Sequence, residues 1–144
     1  MAFKGYLIKL KGKGNNPDEV LPLKYMGIGS YSCTPNQRME SSANRATDGV
    51  LHRTTVSHTA TKIEFDTPNI SNEDVAALNA LLQSHMTNRL QRKISIKYYD
   101  PENDDYKMAD CYMPDVQYKI NSIVEGGQYG KILYTPIRYA FIEY

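Results

Sequence analysis

Four carboxylates crowd the stretch Asp100-Pro101-Glu102-Asn103-Asp104-Asp105, and hard cations such as calcium take several oxygens from a tight loop. An EF-hand, however, requires glycine at its sixth position and glutamate at its twelfth, where this sequence has Asp105 and Cys111. The run is therefore expected to be an acidic hairpin tip. His52 and His58, with Asp48 and many hydroxyls nearby, are the residue types of a metal site or a nucleophilic triad. A triad needs its nucleophile held rigidly, as in the G-x-S-x-G elbow, and zinc needs closely paired ligands on a defined element. All of these candidates fall in one polar stretch, so solvated or interface roles are expected. Cys33 and Cys111 lie far apart with no CxxC or Cys/His cluster, which predicts two idle thiols rather than a zinc site or a disulfide framework. The run Gly12 to Asp18, GKGNNPD, lacks the G-x-x-x-x-G-K-[ST] order, and no G-x-G-x-x-G is present. No catalytic residue, metal site or cofactor is expected, and the chain reads as a non-enzyme.

The remaining charges of interest are Arg38, Arg45 and Arg53. Arginine makes bidentate pairs with carboxylates and is favoured at interfaces, so these three, with Asp48 and His52, are expected to contact a neighbouring subunit. His85 falls toward the end of a helical pattern, where partial burial or a favourable contact with the C-terminal dipole is expected.

The elements that would position these residues follow from periodicity. Phe3 to Lys11 alternates as a strand, and Val20 to Tyr31, with Pro22, Gly27 and Gly29, reads as an irregular or edge strand at a sheet margin. Ser32 to His58 has almost no apolar periodicity over its 27 residues and reads as a long polar arm. Ordering it would cost on the order of 1 kcal/mol per residue, more than Met39, Val50 and Leu51 offset, so a partner must supply the rest. Thr59 to Thr67 alternates again before Pro68 stops it. Ser71 then caps a helix over about 71–88, with Asp74 completing a capping box and Ile70 stapling onto Val75. Val75, Leu78, Leu81, Leu82 and Met86 form its apolar face. Arg92 to Tyr99 and Tyr106 to Met113 read as a hairpin, a run beginning at Val116 is broken by Gly126, Gly127 and Gly130, and a last strand ends the chain. About seven strands with one helix predict a mainly β fold, an antiparallel sandwich or barrel, as a single domain over 1–144.

Composition agrees with one soluble core: 41% of residues are apolar and 23% charged. With 17 Lys/Arg against 16 Asp/Glu the net charge is +1, so the whole chain has no basic excess for holding nucleic acid through phosphates. Met1 to Leu10 contains Lys4 and Lys9 and no continuous apolar stretch, so neither a signal peptide nor a membrane span is expected, and the cytoplasm is the expected place of synthesis. Tyrosine numbers 12 and tryptophan is absent; tyrosine suits both strands and interfaces.

Three stretches together carry a resemblance: DGVLHR at Asp48 to Arg53 leading to TKIEF at Thr61 to Phe65, KYYDPENDDYKMADCYMPD at Lys97 to Asp115, and PIRYAFIEY at Pro136 to Tyr144. The pattern resembles small structural proteins from the tail regions of phages and prophages of Gram-positive bacteria, relatives of tail-tube and distal-tail proteins. The loop IVEGGQYGK at Ile123 to Lys131 is longer than that family pattern. The resemblance implies a homo-oligomeric ring in the distal tail, baseplate or tube, with no catalytic residues to carry over. Its implied neighbours are the tube, tape measure and baseplate hub; DNA would pass through the ring, and the virion would be assembled in the bacterial host cytoplasm. A domain of this length measures roughly 35 to 40 Å across, and a folded-back arm reaches about 40 Å, enough to span one neighbour. A neck or head-completion protein of the same virion is one alternative. A receptor- or carbohydrate-binding β-module is another, if Tyr98, Tyr99, Tyr106 and Tyr112 line an exposed groove.

Overall fold

Alternating apolar residues on five strands share one buried side and pack against one helix. The computed structural model describes residues 3–45 and 49–144, with the backbone alone described for 39–45 and 51–58. Strands β1 (Ile8–Leu10), β2 (Glu19–Val20), β3 (Ser32–Arg45), β4 (Leu51–Asp66), β6 (Met86–Asn88), β7 (Lys93–Asp100), β8 (Asp105–Tyr112) and β11 (Arg138–Glu143) form an antiparallel sheet in the order β2-β1-β7-β8-β11-β4-β3, with β6 added beside β7. A second sheet pairs β5 (Ile70–Ser71), β10 (Lys131–Tyr134) and β9 (Ile120–Val124). The protein is thus mainly β and antiparallel, consistent with a β-sandwich. Its described strands are more numerous than the seven expected, because several are only two or three residues long.

Ile8 and Leu10 of β1, Ile63 and Phe65 of β4, Ile94 and Ile96 of β7, Cys111 of β8, and Tyr139 and Phe141 of β11 are all buried and belong to one apolar cluster. The helix α1 (Asn72–Ser84) adds Val75, Leu78 and Leu82 to it. Phe65 and Tyr139 are register partners whose rings stack at 5.5 Å, and the Tyr139 hydroxyl donates to Asn79 of α1 at 2.9 Å. A buried ring with its polar end satisfied locks the helix to the sheet. At the far side, the Tyr31 hydroxyl donates to the Tyr99 carbonyl at 2.7 Å, linking the chain just before β3 to the end of β7.

The helix starts as its residues predict: the Ser71 side chain accepts from the Asp74 amide, and Ile70 and Val75 are both buried. It ends earlier than the expected 88. His85 is the C-cap, and Met86 turns into β6 opposite Ile94, where its side chain is 2% exposed. Met86 fits the helical period, but pairing with β7 buries it just as well and overrides the propensity. The expected strand from Val20 to Tyr31 shrinks to β2 at the sheet margin, followed by a 3-10 turn at Leu23–Tyr25 after Pro22. The run expected from Val116 forms a strand only over Ile120–Val124, at an edge and largely exposed.

The largest correction concerns the polar arm. Ser32–Arg45 and Leu51–Asp66 are not irregular but form a long antiparallel hairpin, with pairs running from Ser32↔Glu64 out to Arg45↔Leu51. A ladder of backbone hydrogen bonds requires no apolar alternation, so a Ser/Thr-rich sequence satisfies it as well as a hydrophobic one.

Candidate functional site

β4 has two neighbours only near its C-terminal end. Lys62 to Asp66 pair with β11 on one side, and Glu64 to Lys62 pair with β3 on the other. Beyond Gln37↔Ala60, β3 and β4 pair with each other alone, and β3 has no second strand partner among the described residues. The ladder shifts register between Thr34 and Gln37, where Pro35 interrupts the donors of an edge strand and Asn36 adopts φ 50°. The Asn36 amide donates to Thr61 Oγ1 at 3.1 Å, and the Thr61 amide donates to Glu143 Oε1 of β11 at 3.0 Å. These bonds hold the root of the hairpin to the body.

Of the expected interface residues, Arg38 sits just past this root, exposed and opposite Thr59. Arg45 pairs in register with Leu51, His52 with Asn44 and Arg53 with Ala43, so these three are gathered at the outer end of the hairpin. Asp48 lies outside the described residues, and the side chains of Arg45, His52, Arg53 and His58 lie outside them as well.

The acidic run closes the β7–β8 hairpin. Asp100 is fully buried and takes hydrogen bonds from the Glu102 amide at 3.0 Å and Asn103 Nδ2 at 2.9 Å, with Lys107 Nζ at 3.0 Å. Burial alone would raise its pKa, but bonds from Asn103, Lys107 and the Glu102 amide outweigh it and hold the carboxyl below its usual range. Asp100 therefore serves as the anchor of a turn. No group of three or more His, Cys, Asp or Glu suited to a metal occurs among the described residues.

One surface cleft does bring Ser95, His85 and Asp110 together, but they are wired wrongly for a triad. Ser95 donates directly to Asp110, while His85 Nδ1 lies 3.1 Å from the Leu81 carbonyl and from Ser84 Oγ. His85 is nearly fully buried at the helix end, and its Nε2 faces Glu19 Oε1 at 3.8 Å. A triad would place the imidazole between serine and carboxylate. Neither thiol is activated: burial pushes Cys33 up to about 11 and Cys111 up to about 12.

The four tyrosines Tyr98, Tyr99, Tyr106 and Tyr112 do not line one exposed groove. Tyr98 is in the core cluster at 3% exposure, while Tyr99, Tyr106 and Tyr112 share the outer side of the sheet, where Tyr106 is covered by the Tyr6 ring at 4.6 Å. What sequence reasoning missed on that side is charge. Lys9 and Lys97 are direct cross-strand partners of β1 and β7, a pairing that alternation within either strand cannot reveal. Among the described residues no helix is long and apolar enough to cross a membrane.

Neither a curated protein nor a solved structure matches the sequence. A family model, described as a family of unknown function (DUF6711), matches residues 1–144, and the chain belongs to that family.

Proposed function

We propose that this chain is a structural virion protein of a bacteriophage or phage-derived tail, which forms a ring in the distal tail, baseplate or tube by self-assembly through the β3–β4 hairpin. The observation that carries this is the stretch beyond Gln37↔Ala60, where among the described residues β3 and β4 have no strand partner but each other. An isolated two-stranded ribbon is marginally stable in water, and an unpaired strand edge is a template for another chain. A neighbouring subunit meets both needs. Contacts of this head-to-tail kind, repeated by rotation, close into rings. The near-neutral net charge of +1 removes the self-repulsion that would oppose packing copies side by side.

The placement in a tail rests on the likeness of YYDP, DGVLHR and PIRYAFIEY to phage tail proteins of Gram-positive hosts. On that reading the partners are other copies of the chain and neighbouring tail proteins, and the role is architectural, without catalysis. Electron microscopy of the purified protein at high concentration tests it. The wild type is expected to give rings or tubes, and a variant with residues 38–59 replaced by a two-residue Asn-Gly turn is expected to stay folded and monomeric. A wild type that is solitary at every concentration overturns the proposal.

A further inference from the structure

The outer face of β1 and β7 carries a lysine pair that no ion pair among the described residues neutralises; the Asp18 carboxylate attracts Lys9 only from beyond ion-pair distance. Lys9 and Lys97 are directly opposite each other, and like charges in that position destabilise a sheet. Neither has an ion-pair partner among the described residues, and nor does the exposed Lys4. Instead their ammonium groups lie over tyrosine rings: Lys9 at 4.7 Å from Tyr6, Lys97 and Lys4 each at 6.0 Å from Tyr106. The two rings pack at 4.6 Å, tilted by 30°, and Tyr106 donates to the Tyr6 carbonyl at 2.8 Å, so the lysines stand on a fixed aromatic floor. Cation–π contact offsets part of the repulsion but adds no negative charge.

The same chain carries the complementary surface. Of the four carboxylates in the β7–β8 turn, Asp100 is taken up by Lys107, while Glu102, Asp104 and Asp105 have no ion pair among the described residues. Glu102 and Asp104 are exposed, and Asp104 Oδ1 accepts at 2.7 Å from the uncharged Tyr99 hydroxyl. A molecule of net charge +1 thus has a basic face and an acidic tip whose exposed charges form no close ion pairs among the described residues.

We propose that the acidic β7–β8 tip of one copy docks on the Lys4, Lys9 and Lys97 face of a second copy. This deepens the self-assembly reading by naming a second, electrostatic contact between subunits. Complementary charges of this kind steer encounter and set register, and they weaken as salt screens them.

Sedimentation velocity on the full chain tests the contact, using Lys9→Glu with Lys97→Glu as a face-reversed variant and Glu102→Lys with Asp104→Lys as a tip-reversed variant. Wild-type association is expected to weaken between roughly 20 mM and 500 mM salt. Each reversed variant alone sets like charges against each other and is expected to associate about tenfold or more weakly. An equimolar mixture of the two, in which every acidic face meets a basic tip, is expected to recover association. Lys9→Gln with Lys97→Gln gives a neutral face should the reversed one unfold, and circular dichroism checks each fold. A mixture that fails to recover overturns the proposal. So does loss confined to the face-reversed variant, which would assign the lysines to another anion such as nucleic acid. Rings that persist in both reversed variants overturn the charge contact and leave assembly through the hairpin standing; monomers in every sample overturn both.

Discussion

The backbone amide of Asn36 donates to the buried hydroxyl of Thr61 at 3.1 Å, and this bond sits at the root of the β3–β4 hairpin. Asn36 is held at φ 50°, in the left-handed region that asparagine tolerates better than most residues. The bond matters because the ladder shifts register here and leaves fewer regular partners. Thr61→Val keeps the shape and removes the acceptor, which costs about 1 kcal/mol. For a chain of this size that lowers Tm by about 2–4 °C. Thermal unfolding followed by circular dichroism reads this, and an unchanged Tm would show that the hairpin root does not depend on Thr61.

Protease sensitivity of the hairpin should depend on assembly. Beyond Gln37↔Ala60 no third strand lies beside the two among the described residues, and local opening is easiest where backbone hydrogen bonds face solvent. In dilute monomer, trypsin is expected to cut first at Arg38, Arg45 or Arg53, and assembled rings are expected to protect these sites. Mass spectrometry of the first fragments settles the matter, since equal cleavage in both states argues against the hairpin as the interface.

The helix and the hairpin differ in how far their residues announce them. Ser71, Asp74 and the apolar face of α1 announce the helix locally, and the strict alternation of Ile94, Ile96 and Tyr98 announces a half-buried strand. Such signals are short-range and come from burial. The hairpin carries no burial signal, because its order comes from backbone pairing between polar residues, so its sequence resembles a loose arm. The Lys9–Lys97 pair was invisible for a different reason: it depends on β1 lying beside β7, strands far apart in the chain. Arg38, legible as an exposed charge, is placed near the hairpin root by a pairing with Thr59 that periodicity does not encode.

The Asp100 carboxylate makes stability depend on pH with a defined sign. Its pKa is lowered in the folded protein, so its contribution is present above the unfolded carboxylate value of about 3.9 and is lost as pH falls through the folded value. Asp100→Ala removes the acceptor for the Glu102 amide and Asn103 and leaves Lys107 unpaired, costing about 1–3 kcal/mol at neutral pH. Urea unfolding of both proteins across pH is the measurement. The gap between wild type and variant is expected to narrow below about pH 4, and a gap that is constant down to pH 2 would remove Asp100 ionisation as its cause.

Gly130 is required by space as well as by backbone. It adopts φ 79°, and a Cβ there would fall 2.6 Å from the Val124 carbonyl oxygen across the β9–β10 turn. Its amide also donates to the Gly126 carbonyl at 2.7 Å, closing the turn. Gly130→Ala should destabilise by more than about 1 kcal/mol, whereas Gly126→Ala, where an added Cβ meets nothing, should change stability by less than about 0.5 kcal/mol. Denaturant midpoints of the two variants give the comparison, and equal effects would mean that the turn relaxes around the new methyl.

Thiol chemistry tests the packing at the β3 edge and at the centre of the sheet. Burial raises Cys33 to about 11 and Cys111 to about 12, and only the thiolate attacks disulfide reagents. Near pH 8, half-buried Cys33 is therefore expected to hold about a hundredfold less thiolate than an unfolded cysteine, and fully buried Cys111 less again. Native protein treated with an aromatic disulfide should react slowly at Cys33 and not measurably at Cys111, with both reacting at once in denaturant. The Cys33 rate should climb about tenfold per pH unit until near pH 11, because each unit multiplies the thiolate fraction by that factor. A fast, pH-independent reaction of the native chain would mean that Cys33 is not held against the core beside Tyr31.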